Sequence, residues 1–171
     1  MSNKTVKIFS ELLWGGERYK LEYTDLDSFD ELPYEKCVQV YGVCFMEDKI
    51  VIGHGRTSKT DSGWNLIGGH IEKGETFEQT LRREIKEESN MELLNYLPIG
   101  VQKVTAPSGE FTYQLRYVTK VRPFGKFRND PAGSVTDIML IDPKNYRQYF
   151  DWGEIGERII SRAIEVKKRL L

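Results

Sequence analysis

Cysteine is scarce in this chain, with Cys37 and Cys44 the only two among 171 residues. Both fall in one apolar run that reads as a strand, where their odd separation predicts opposite faces and no pairing between them. A disulfide framework is therefore excluded, and buried reduced thiols fit a reducing compartment. Histidine is as rare, His54 and His70 only, which leaves too poor a donor set for a structural zinc site. No stretch approaches the roughly 20 apolar residues of a membrane span, so no membrane partner is expected. An excess of either charge is also missing. The 25 basic and 26 acidic residues give a formal net charge of −1, without the basic surplus that drives binding to polymeric nucleic acid. Small phosphorylated molecules remain open as partners. Residues 1–10 lack the continuous apolar core and small-residue cleavage site of a secretory signal, so the expected location is cytoplasmic. No internal repeat is visible, which removes solenoids and tandem arrays.

What is present suits one globular domain over 1–171, since this length buries one good core and is short for two. Residues 6–14 and 17–23 are rich in β-formers and flank Gly15-Gly16, which predicts an N-terminal hairpin, followed by a polar connector up to residue 35. A core over 36–150 begins with a strand at 37–46 that is apolar on both faces, then a turn at Glu47-Asp48 and a strand at 49–53. A polar loop, 56–63, leads into 64–67 and the pair Gly68-Gly69. Thr76 and Gln79 predict a capping box at the start of a helix, and Asn90 a left-handed residue at its end. Strands are expected at 96–105, 111–122 and 135–141. A C-terminal amphipathic helix over 151–171, capped by Asp151 and Glu154, places Ile155, Ile159, Ala163, Val166 and Leu170 on one face. The class is α/β (α+β), a central mixed sheet between helices.

The first helix carries the chemistry. At about 100° per residue, Glu84, Glu87 and Glu88 lie on one face, beside the apolar row Phe77, Leu81 and Ile85. Like charges at i and i+4 destabilise a helix. A solvated acidic face is the plain reading, whereas a hard divalent cation would offset the repulsion and keep water positions for phosphates. Arg83 is placed to hold a carboxylate through paired ionic hydrogen bonds. Ahead of the helix, Gly68-Gly69 lets backbone approach a ligand, and Lys73-Gly74-Glu75 returns one more carboxylate toward Arg83.

The string GGHIEKGETFEQTLRREIKEESNM, with its motif at 69–91, resembles the signature of the Nudix hydrolase family. Gly69, Glu75, Arg83, Glu84, Ile85, Glu87, Glu88 and Met91 stand at matching positions, while Asn90 replaces the usual Gly and Ile67 the frequent Pro. The resemblance implies an α/β/α sandwich and a hydrolase that cleaves the phosphoanhydride bond of a nucleoside diphosphate linked to another group, such as a nucleoside triphosphate, ADP-ribose or nucleotide sugar. It implies Mg²⁺, with Mn²⁺ able to substitute, held by Glu84, Glu87, Glu88 and the carbonyl of Gly68. Glu75 and Arg83 become the supporting pair, and the N-terminal hairpin a candidate dimerising extension of a homodimer.

The carboxylate that takes the proton of water is open among Glu84, the first candidate, and Glu110, Asp130 and Asp137 in or beside later loops. Trp64, Gly69 and Arg56, with Lys59, are the candidate substrate contacts. Phe111, Tyr113, Leu115 and Tyr117 alternate onto one strand face, which reads as core before it reads as a base-stacking platform. Two other readings share the fold. A non-catalytic nucleotide-binding or regulatory module predicts loss of acidic positions that are all present here, and an isoprenoid diphosphate isomerase needs a reactive Cys in its pocket.

Overall fold

The structure is a computed structural model that describes residues 5–55, 62–128 and 135–170. Arg56, Lys59 and Asp130 lie outside the described residues. Strands β1 (Lys7–Trp14) and β2 (Glu17–Asp25) form the expected hairpin. Its two-residue turn needs positive φ at both central positions, and Gly15 and Gly16 adopt +59° and +80°. A short 3-10 helix at Tyr34–Lys36 enters β3 (Cys37–Met46), β4 (Lys49–Gly55) and β5 (Trp64–His70). Helix α1 (Phe77–Ser89), β6 (Met91–Thr105), β7 (Phe111–Pro123), β8 (Val135–Ile141) and α2 (Gly153–Lys167) complete the order.

One sheet holds all eight strands in the order β1-β2-β6-β7-β3-β5-β4-β8. Only β3 and β7, at its centre, run parallel among the described pairs; the rest are antiparallel. Each face carries one helix and one core, which is the α/β/α arrangement expected. Leu81 and Ile85 of α1 pack on Val40, Ile67 and Leu115. Ile155, Ile159, Ala163 and Val166 of α2, with Leu170 beyond it, pack on Val43, Phe45, Ile52 and Val118. No helix among the described residues is long and apolar enough to cross a membrane.

Three details depart from expectation. Cys37 and Cys44 face the same core, because a bulge between Cys37 and Gln39 inserts a residue into the alternation. Both thiols remain free. Strand β6 begins at Met91, five positions earlier than the pattern suggests. Asn90 in the left-handed region reverses the chain in one step, and two register shifts, between Leu93 and Asn95 and between Pro98 and Gly100, let the strand continue past a proline. The N-cap of α2 is Trp152, with no side-chain cap bond; Asp151 accepts from the N–H of Gly153 instead.

Burial pushes the Cys44 thiol up to about 12 and the Cys37 thiol up to about 11. The thiolate is the reacting form. Neither cysteine should react with a maleimide at pH 7 in the native protein, and both should in denaturant. Fast labelling of native Cys44, read by mass spectrometry, would contradict this packing.

Candidate active site

Helix α1 is set by its ends. Thr76 accepts from the Gln79 N–H at 3.1 Å and the Gln79 side chain accepts from the Thr76 N–H at 2.9 Å, the capping box expected. Asn90 closes the helix at φ 53°. With both ends fixed, Glu84 and Glu88 turn inward and are buried at 9% exposure each. Glu87 is one step further round and stays about a third exposed.

Arg83 organises the acids. Its Nε and Nη2 donate to the two carboxylate oxygens of Glu75 at 2.7 and 3.0 Å, the paired geometry that suits a guanidinium. Its Nη1 donates to Glu84 at 2.9 Å and Glu87 at 3.3 Å, and Nη2 also reaches the carbonyl of His70 at 2.9 Å. Glu75 further accepts from the Thr80 hydroxyl at 2.7 Å and the Glu72 N–H at 3.1 Å. The Arg83 guanidinium, then the Thr80 and Glu72 donors, hold the Glu75 carboxyl down at about 2, and the same acids raise the Arg83 guanidinium above its usual range. One cation thus donates to the carboxylates of Glu75, Glu84 and Glu87 and to a backbone carbonyl.

The glycine pair lies inside β5, opposite Tyr41 and Val40 of β3. Glu88 accepts from the Gly68 N–H at 2.9 Å, which ties helix to sheet. A Cβ on Gly69 would stand 2.5 Å from Glu84 Oε1, whereas one on Gly68 would run into the backbone carbonyl of Val40. The two glycines therefore do different work. Gly69→Ala should push the Glu84 carboxylate aside and leave the unfolding temperature close to that of the wild type. Gly68→Ala should lower the unfolding temperature instead. Equal melting behaviour of the two variants would contradict the assignment.

These residues line a cleft of about 1280 Å³. Gly68, Gly69, Arg83, Glu84, Glu87 and Glu88 line it, opposite walls from β1 and β2 and from the segment around Tyr149. Among the described residues no three Asp, Glu, His or Cys side chains are already gathered as a metal cage. The present partners explain this, since Arg83 holds Glu84 and the Gly68 N–H holds Glu88. The donor set still fits a hard cation: it is all oxygen, on one helix face, with a glycine leaving room for the Glu84 carboxylate.

Other expectations fall elsewhere. Trp64 packs against His54 and Tyr149, with ring centroids at 5.1 and 6.2 Å, so Asn65 and Tyr149 rather than Trp64 line the cleft. Glu110 is exposed in the turn between β6 and β7, and Asp137 is exposed on β8; neither lines the cleft. Leu115 and Tyr117 are core beneath α1. The opposite face of β7 was missed. Gln114 and Arg116 lie on the cleft floor with Gln39 of β3 and Gln102 of β6. The available signal was Arg116 set among Leu115, Tyr117 and Val118.

The sequence pattern of the NUDIX domain matches residues 35–157. Among solved structures, a pyrophosphohydrolase of Bacillus subtilis is 18% identical with a TM-score of 0.66, over 91% of this chain and 96% of its own. A NUDIX hydrolase from Nitrosomonas europaea is 20% identical with a TM-score of 0.61, over 77% and 90%. A MutT NUDIX hydrolase from Burkholderia pseudomallei is 17% identical with a TM-score of 0.56, over 74% and 96%. At these identities the structural likeness is one of fold.

Proposed function

Because the chain belongs to the NUDIX family and is a pyrophosphohydrolase of that type, we propose that it needs a divalent cation and cleaves a nucleoside diphosphate linked to another group. The supporting observation is the set of buried carboxylates Glu84 and Glu88 held at a cleft by Arg83 and the Gly68 N–H. Glu84, Glu87, Glu88 and the Gly68 carbonyl would hold Mg²⁺, or Mn²⁺ in its place. Bound there, the cation neutralises diphosphate oxygens and stabilises charge on the departing phosphate.

The chain supplies the rest. Glu84 is the proposed acceptor of the proton from the attacking water, since Glu110 and Asp137 lie away from the cleft. Arg83 and Glu75 keep the helix face at its angle to β5. Tyr149 and Asn65 form the wall along which the group beyond the diphosphate would lie. Such a substrate and reaction suit the proposed cytoplasmic location. The exposed Phe9, Leu12, Leu13 and Trp14 on the edge strand β1 support the proposed homodimer.

A phosphate-release screen over nucleoside triphosphates, ADP-ribose, dinucleotides and nucleotide sugars tests this reading. Turnover with Mg²⁺ or Mn²⁺ that stops in EDTA is the expected result. Nucleotide binding without turnover of any class would instead establish a non-catalytic module.

A further inference from the structure

The cleft lining includes a buried charge that has no counter-ion among the described residues. Arg116 of β7 is 3% exposed, and among the described residues its side-chain hydrogen-bond acceptors are glutamines, with no carboxylate paired to it. Its Nη2 donates to Gln114 Oε1 at 2.9 Å and reaches Gln102 Oε1 at 3.5 Å. Among the described residues its Nε and Nη1 have no hydrogen-bond partner. The Tyr41 ring lies 4.7 Å from Cζ and offers its electron-rich face. A guanidinium carries donors only. Burying one without an anion is costly, and amide oxygens with one aromatic face offset only part of that cost. Burial brings its pKa down to about 10, which still leaves it protonated at neutral pH.

Its surroundings are polar in one direction only. The Gln114 amide donates to Gln39 Oε1 at 2.7 Å, and the Gln39 amide nitrogen lies 3.3 Å from His70 Nε2. Two strands, β7 and β3, thus commit their amides to a chain that begins at Arg116 and ends at His70 beside the glycine pair. Tyr41 is the bridge to the acidic end: it stacks on Arg116, pairs with Gly68 across the sheet, and feels the charges of Glu88 and Glu84. The cleft therefore has an anionic end and, along its floor, a cationic centre in want of an anion.

We propose that Arg116 is the receptor for a phosphoryl group of the substrate, which displaces Gln102 from its long contact and supplies the missing counter-ion. This deepens the hydrolase reading and rests on it for the substrate's identity. Arg116 would select a ligand with an anionic group on the cleft floor, and the glutamine chain would keep its remaining donors oriented.

The test is done without metal or turnover. Thermal unfolding is followed in EDTA at fixed ionic strength, with inorganic pyrophosphate or with adenosine as probes. Pyrophosphate should raise the unfolding temperature of the wild type by mass action, and adenosine should not depend on Arg116. Arg116→Met should unfold at or above the wild-type temperature while binding pyrophosphate about tenfold more weakly, or worse. Gln102→Glu places a carboxylate where the amide oxygen now meets Nη2; this internal counter-ion should raise the unfolding temperature and exclude pyrophosphate. Pyrophosphate binding by Arg116→Met at wild-type strength, none by the wild type, or Arg116-dependent binding of adenosine alone would each overturn the proposal. Should Arg116→Met fail to fold, Gln102→Glu decides, and wild-type pyrophosphate affinity in that variant sinks the idea. Arg116-dependent binding by a chain that hydrolyses nothing leaves this inference standing and removes the hydrolase reading. Turnover by a chain whose Arg116→Met variant binds pyrophosphate normally does the reverse.

Discussion

Glu84→Gln and Glu88→Gln should each lower Mg²⁺-dependent turnover by about 10²- to 10⁴-fold with unchanged folding. Both substitutions keep an amide oxygen where the acceptor now stands. Arg83 can still donate to residue 84, as it does at 2.9 Å, and the Gly68 N–H to residue 88, also at 2.9 Å. What is lost is negative charge, so the rate isolates charge from packing. On the proposed reading the two carboxylates would hold the cation together, and the double variant should fall little below the worse single one. Phosphate release over the nucleotide panel measures the rate, and far-ultraviolet circular dichroism with thermal unfolding measures the fold. A folded double variant that turns over at the wild-type rate would remove this helix face from the reaction.

Arg83→Met should have the largest effect on stability, about 2–3 kcal/mol at pH 7, because breaking a partly buried network strands the groups left behind. Glu75, Glu84 and Glu87 would lose their shared cation. The pH dependence follows from Glu75. Its carboxyl sits at about 2 in the folded chain against an ordinary 4.5, so the unfolded chain binds more protons between those values. The stabilisation is complete above about 4.5 and disappears as pH falls toward 2. It amounts to at most about 3 kcal/mol, less after screening by the water that reaches both side chains. The gap in unfolding temperature between wild type and Arg83→Met, measured in EDTA, should be widest at pH 7 and narrow as pH falls to 3. A gap that stays constant across that range would mean the network contributes through packing alone.

The acidic helix is legible in the sequence because its information is local. Thr76, Gln79 and Asn90 set its ends by bonds to backbone within one turn, and the spacing of Glu84, Glu87 and Glu88 sets their face. The apolar stripe of α2 was readable for the same reason. Errors arose where a strand broke its own alternation. One inserted residue after Cys37 moved that thiol to the other face, and a register shift between Leu93 and Asn95 broke the alternation of the first part of β6, which starts at Met91 rather than at 96. Trp64 was singled out by closeness in sequence to the glycines, and its ring packs against His54 and Tyr149.

The amino-acid order by itself determined the helix with its acids, the hairpin at Gly15-Gly16 and the membership that the motif announces, since each depends on residues a few positions apart. Only the tertiary structure decided the cleft. Gln39, Gln102, Gln114 and Arg116 come from three strands, β3, β6 and β7, and meet because a parallel pair and an antiparallel pair place them side by side. No local spacing encodes that meeting, for the pairing of distant strands is fixed by the burial of their other faces.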